Sequence, residues 1–229
     1  MPQDLINDLI NADFSQRIVI ATNDMPWSPS PLAGVERRML DRIGGEVARA
    51  TSLVRYAPGS AFSPHGHELG EEFLVLDGIF SDEHGDYPAG TYVRNPPGSR
   101  HTPRTEPGCT ILVKLRQMTP AEQHRVVIDT KRARFETGET AGHTRLVLHN
   151  GGRDSELVTM EWLDAGTSLA ETDCPGGEEI LLLSGDLADE HGDYGSGSWI
   201  RNPAGTRRSL RSERGALFWA KRGHLRATS

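Results

Sequence analysis

Asp82-Glu83-His84-Gly85-Asp86-Tyr87 returns 107 residues later as Asp189-Glu190-His191-Gly192-Asp193-Tyr194. Held at that offset, Gly78–Arg100 matches Gly185–Arg207 at 13 of 23 positions without a gap, including Arg94-Asn95-Pro96 against Arg201-Asn202-Pro203. Upstream, Gly44-Gly45 meets Gly151-Gly152, Gly59 meets Gly166, and Glu71-Glu72 meets Glu178-Glu179. So many identities at one fixed offset mark an internal duplication, and each copy has the commonest size of a domain. The expected units are residues 1–118 and 119–229, joined by a linker near Met118-Thr119-Pro120-Ala121-Glu122.

Each copy reads as short strands divided by turn residues, the pattern of a β-sandwich or barrel. Phe73-Leu74-Val75-Leu76 and Ile180-Leu181-Leu182-Leu183 are continuous apolar runs ending at Gly78 and Gly185, as buried strands do. The repeated Asp-Glu-His-Gly-Asp-Tyr segment then forms a hairpin turn in which glycine takes up the unusual backbone angles. At the front of the chain, Leu5, Ile6, Leu9 and Ile10 recur at a spacing of four, which predicts a short amphipathic helix. The predicted class is all-β with that one N-terminal helix.

With 25 glycines and 14 prolines among 229 residues, uninterrupted helical patterns are missing, which excludes a bundle. A formal charge of −7 with dispersed arginines argues against a nucleic-acid partner, since phosphate contacts need a basic face. No apolar run approaches the ~20 residues of a membrane span, and the acidic start is unlike a signal peptide, so a cytoplasmic protein is expected. Cys109 and Cys174 fall in different copies and are expected to be reduced.

His65 and His67 lie two apart, so on a strand both imidazoles face the same side. Glu71, four further on, keeps that parity, whereas Glu72 has the opposite one. His101 follows the turn Pro96-Pro97-Gly98-Ser99. Three imidazoles and a carboxylate suit one divalent transition metal per chain, iron(II) or zinc first, with manganese, nickel or copper also admitted. Four protein ligands leave room for a small-molecule ligand.

The run Gly59, five residues, His65-Gly66-His67, three residues, Glu71, six residues, Gly78 resembles the first cupin motif. The run Gly90, five residues, Pro96-Pro97-Gly98-Ser99-Arg100-His101 resembles the second, except that Thr105 stands where the motif usually has asparagine. With Trp27, Pro31-Leu32-Ala33-Gly34, Pro64 to His67, and Gly108-Cys109 leading to Val113-Lys114-Leu115, the chain is similar to the ChrR-like cupin family across most of both copies. That resemblance implies two tandem jelly-roll barrels, a bicupin, with His65, His67, Glu71 and His101 as metal ligands. The family includes the sensory domain of an anti-sigma factor and small dioxygenases that cleave dicarbonyls or hydroxyketones. It also implies a homodimer. The zinc domain that binds a sigma factor carries its own cysteines; none precedes Cys109 here, so no sigma-factor partner is expected. Trp27, Arg55, Tyr92 and Arg94 are candidates for the surroundings of the metal.

The second copy places Thr172, Cys174, Glu178 and Arg208 at the ligand positions. A guanidinium in the cavity repels a divalent ion and attracts Glu178. Arg208, or its neighbour Arg207, is therefore expected to fill the old metal position with a salt bridge, leaving that barrel without metal. His84, His191, Tyr87 and Tyr194 occur in both copies and are read as scaffold. His124, His143, His149 and His224 lie outside the motif spacing and are read as surface residues.

Overall fold

The computed structural model describes residues 9–45, 47–152 and 155–225. Apart from a 3-10 turn at Thr22–Asp24, the described elements are strands, and the chain folds as two cupin jelly rolls. The predicted N-terminal helix is corrected in part: Leu9–Ile10 is a short strand paired with Ile43 and Arg42, while Leu5 and Ile6 lie outside the described residues. A four-residue apolar spacing is weak evidence over so short a stretch, and an available strand edge outweighs it.

In the first unit the main sheet runs Leu9–Ile10, Val35–Ile43, Arg49–Tyr56, Cys109–Leu115, Glu71–Asp82, Thr91–Asn95, Val126–Asp129, each antiparallel to its neighbours. The second unit has the same order: Glu136–Thr137, His143–Asn150, Leu157–Leu163, Ala216–Arg222, Glu178–Asp189, Ser198–Asn202, Ile18–Ala21. Period-2 alternation decides what fills each barrel. Phe73 and Val75 point into the first core beside Val93, Ile111 and Phe80, and Ile180 and Leu182 do so in the second. Burying one such side chain stabilises by about 1.5–3 kcal/mol. Glu71 and Glu178 share that inward parity, so the packing of the strand aims each carboxylate into its barrel.

The long strands do not end at the glycines. Glu71–Asp82 continues through Gly78 and turns back on Gly85–Pro88 at Glu83-His84. Gly78 has φ +72°, and a Cβ there would lie 2.0 Å from the Gly108 carbonyl oxygen; at Gly185 the same clash is 1.8 Å from Gly215. The close approach lets one strand serve the main sheet and then the hairpin.

The compact units differ from 1–118 and 119–229 by two short segments. The first contains the chain up to Ala12 and Pro26–Arg132; the second contains Asp13–Met25 and the chain from Ala133. Val126–Asp129 pairs with Thr91–Asn95, and Ile18–Ala21 pairs with Ser198–Asn202. Each added strand is rich in β-branched residues and satisfies a sheet edge that otherwise presents unpaired N–H and C=O groups.

Candidate metal centre

His65–His67 and Ser99–His101 form a two-stranded ribbon in which His101 lies directly opposite His65. The pairing brings the distant histidine to the His-x-His segment, and ligand nitrogens of His65, His67 and His101 lie within 4.8 Å of one another. The rings stand edge to face, with centroids 4.9–5.0 Å apart. His67 Nε2 is 3.0 Å from His101 Nε2, and Glu71 Oε2 is 3.5 Å and 3.6 Å from these two nitrogens. Glu71 rather than Glu72 joins the cluster, since Glu72 Oε2 accepts from Arg94 Nη1 at 2.7 Å.

The donor set fits a divalent ion. His65 Nδ1 faces the Ser63 carbonyl oxygen at 3.0 Å, which can only accept, so this nitrogen carries the proton and Nε2 keeps its lone pair. His101 Nδ1 faces Asp82 Oδ2 at 3.5 Å, which favours the same tautomer. Two donors bound to one ion through bonds of ~2.1 Å lie about 3.0 Å apart at a right angle and about 3.4 Å apart at a tetrahedral one. The His67–His101 spacing of 3.0 Å matches the right-angle value, and the two Glu71 spacings of 3.5 and 3.6 Å lie just above the tetrahedral one. Burial, with His65 adding to it, lowers the His67 pKa to about 4, and burial also lowers that of His101, so both imidazoles are in the neutral, ligating form at pH 7. Burial raises the Glu71 carboxyl, while His101 and a 3.0 Å hydrogen bond from Asn95 Nδ2 act the other way.

One edge of the cluster is open, because His65 is exposed while His101 and Glu71 are buried. Behind it, Phe80 lies 5.9 Å from His101 between ring centroids, and Tyr56 packs on Phe62 and Phe80. The four candidates for the metal's surroundings lie elsewhere. Trp27 is clasped by Arg38 and Arg55 at 4.3 and 4.4 Å, and Arg55 pairs with Glu36 on the outward face. Tyr92 and Arg94 have the parity opposite to Val93 and Asn95, and Arg94 bridges Glu72 and Glu122. The groups that do touch the ligands are Asn95 and Asp82, with Tyr87 donating to Asp82 Oδ1 at 2.8 Å. Of these, the sequence comparison read Tyr87 as scaffold because it occurs in both copies, and it gave Asn95 and Asp82 no role at the site. Thr105, at the asparagine position of the motif, donates to the Ile79 carbonyl oxygen at 2.6 Å.

In the second unit Thr172 and Arg208 take the paired positions of His65 and His101. Arg208 grips Glu178 through Nε at 2.8 Å and Nη2 at 2.7 Å, so the expected salt bridge is present and belongs to Arg208. Arg207 is exposed and pairs with Glu171 and Asp173. Arg222 reaches both Glu178 and Glu161 at 2.6 Å, and Glu161 meets His143 Nε2 at 2.9 Å. Burial alone drives Glu178 upward, but Arg208 and Arg222 hold it below the usual carboxylate range. His143 and His224 are thus not surface residues: His143 is buried, and the His224 side chain is 3% exposed with its Nε2 2.9 Å from Glu179. Cys174 is buried with a thiol that burial pushes up to about 11, and Cys109 is alike; both are unpaired.

Among solved structures, the chain is similar to a candidate dioxygenase from Nostoc punctiforme (16% identity, TM-score 0.77, covering 93% of this chain and 85% of that one). It is also similar to a candidate glyoxylate-induced protein from Pseudomonas aeruginosa (15%, 0.75, 93% and 91%). Oxalate decarboxylase from Bacillus subtilis, whose manganese(II) centres have been characterised, matches at 10% identity and TM-score 0.62, covering 92% of this chain and 78% of that one. At such identities the likeness shows the fold. No curated protein matches the chain. The family described as ChrR Cupin-like domain matches twice in tandem, over residues 15–119 and 123–226. The chain therefore belongs to the ChrR Cupin-like family as a two-domain member.

Proposed function

We propose that the first unit holds one divalent transition metal on His65, His67, Glu71 and His101, and works as a non-haem dioxygenase on a small diketone- or hydroxyketone-like substrate. The convergence of three imidazole nitrogens and one carboxylate beside an exposed edge carries this reading. The similarity to a candidate dioxygenase and to a manganese cupin enzyme supports it.

A metal bound there supplies Lewis-acid polarisation of an oxygen ligand and a template for two reactants. The chain's own groups do the rest. The open side at His65 admits a small molecule, while Phe62, Phe80 and Tyr56 form an apolar wall that keeps bulk water from the reacting face. Burial, reinforced by the Glu71 charge, raises the Tyr56 phenol so that it stays protonated, and its hydroxyl can orient a substrate oxygen by donating to it.

The test is oxygen uptake by protein loaded anaerobically with Fe(II) and offered a panel of β-diketones and hydroxyacetophenones. Consumption that disappears with His101→Ala is expected; a silent panel overturns the dioxygenase reading. The family match favours a second reading, a regulatory cupin with a non-catalytic metal. Tight zinc retention with co-purification of a regulator, together with a silent panel, supports that one.

A further inference from the structure

Asn95 and Asp82, the two residues behind the ligands, meet at a single side chain. Arg125 Nε donates to Asn95 Oδ1 at 3.0 Å, and Asn95 Nδ2 donates to Glu71 Oε2 at 3.0 Å. Arg125 Nη2 donates to the Tyr87 hydroxyl at 2.6 Å, and that hydroxyl donates to Asp82 Oδ1 at 2.8 Å. The other oxygen of Asp82 lies 3.5 Å from His101 Nδ1 and 3.8 Å from Arg125 Nη2. One guanidinium therefore stands one residue removed from Glu71 along one branch, and stands behind Asp82, which faces His101, along the other.

We infer that Arg125 is a positioning residue of the metal centre, fixing Glu71 through Asn95 and His101 through Asp82. This rests on the proposed metal binding and is independent of the dioxygenase reading. Arg125 immediately precedes the strand Val126–Asp129, so it falls in the second of the two family matches yet serves the first unit. The planar five-donor fork of arginine suits this task because it reaches an amide and a phenol at once in fixed directions, which a lysine does not do.

The second unit contains the same device with no histidine ligands to serve. Arg17 Nε donates to Asn202 Oδ1 at 3.0 Å and Arg17 Nη2 to the Tyr194 hydroxyl at 2.7 Å. There the arginine also takes Asp189 Oδ2 directly, at 2.7 Å, whereas the matching Asp82 oxygen stands off from Arg125 and faces His101. Glu178 meanwhile is held by Arg208 and Arg222. The contacts of Arg17 are those of a brace between strands; the contacts of Arg125 are the same brace extended to two ligands. The two side chains are similarly exposed, at 23% and 32%, but Arg17 also holds Asp189 directly, so its loss perturbs its barrel at least as much as loss of Arg125 does.

The experiment compares full-length Arg125→Gln and Arg17→Gln with the wild type for Zn(II) affinity, by competition with a chromophoric chelator, alongside thermal melting of the metal-free proteins. Outer partners of metal ligands commonly contribute about 10- to 100-fold in affinity. The expected result is a loss of about tenfold or more for Arg125→Gln, partial recovery with Arg125→Lys, and an affinity for Arg17→Gln within about twofold of wild type, with Arg17→Gln melting no higher than Arg125→Gln. Equal weakening by both variants, or no weakening by Arg125→Gln, overturns the role of Arg125 while leaving the metal centre standing. A wild-type chain that fails to bind Zn(II) overturns the centre and this role with it.

Discussion

Positions 101 and 208 occupy the same place in two copies of one fold and do opposite things. His101 presents a neutral donor beside His67 and Glu71, whereas Arg208 closes a buried ion pair on Glu178. Around the latter, Glu161, Arg222, Glu178 and Arg208 alternate in sign, two carboxylates against two guanidiniums, so the second interior satisfies its own charges. The first interior keeps a carboxylate facing imidazoles that burial holds neutral. A barrel can thus retain its scaffold while exchanging a donor set that suits a cation for one that contains its own.

The largest expected difference between the copies is in metal binding. His101→Ala should reduce bound metal from about one equivalent to near none, since the remaining donors no longer surround an ion. Arg208→Ala should leave metal content unchanged, as read by elemental analysis after equilibration with Zn(II). Metal lost on the second substitution breaks the assignment of the site to the first unit.

Stability should invert the order. Glu178→Gln takes from the buried Arg208 the carboxylate it grips and leaves Arg222 with Glu161, and removing one partner of a buried ion pair costs about 3–5 kcal/mol. Glu71→Gln keeps an acceptor for Asn95 and should cost the metal-free protein under about 1.5 kcal/mol, while its metal affinity falls. Urea titrations of the two variants side by side decide the point.

Acid sharpens the contrast further. Glu161 is driven upward by burial but held well below the usual carboxylate range by Arg222, His143 and Thr159. A carboxylate lowered in the fold contributes stability that is complete above its unfolded value, about 4.3, and is lost as pH falls through the folded value. Below about pH 4.3 the wild type should therefore lose stability more steeply than Glu161→Gln, by about 1.4 kcal/mol per pH unit, in denaturant midpoints collected across that range.

The smallest effect concerns the thiols. Cys109 and Cys174 are both buried and both pushed up to about 11, so neither should react with a thiol reagent at pH 8 until the protein is unfolded. Faster labelling of Cys174 would mean that the second barrel opens more readily than its packing implies.

The duplication, the inward parity of Glu71 and the His65, His67, His101 set are local patterns, and they were legible as spacing and periodicity. Subtracting one repeat from the other also isolated Arg208 correctly. The same subtraction could not single out Asp82, Asn95 and Tyr87, because residues that brace both barrels are common to both copies even where they also adjoin the candidate ligands in one. Trp27, Arg55, Tyr92 and Arg94 looked chemically apt, but strand parity turned Arg55, Tyr92 and Arg94 away from the interior, and Trp27 sits with Arg38 and Arg55.

By itself, then, the sequence determined the repeat, the class and the candidate ligands, since these depend on interactions or periodicities within tens of residues. Only the tertiary structure decided that Val126–Asp129 completes the first sheet and Ile18–Ala21 the second, which put Arg125 behind the candidate metal centre and Arg17 behind its counterpart. A strand edge accepts whichever segment satisfies its hydrogen bonds. That choice depends on where edges meet chain in three dimensions, and no spacing along the sequence records it.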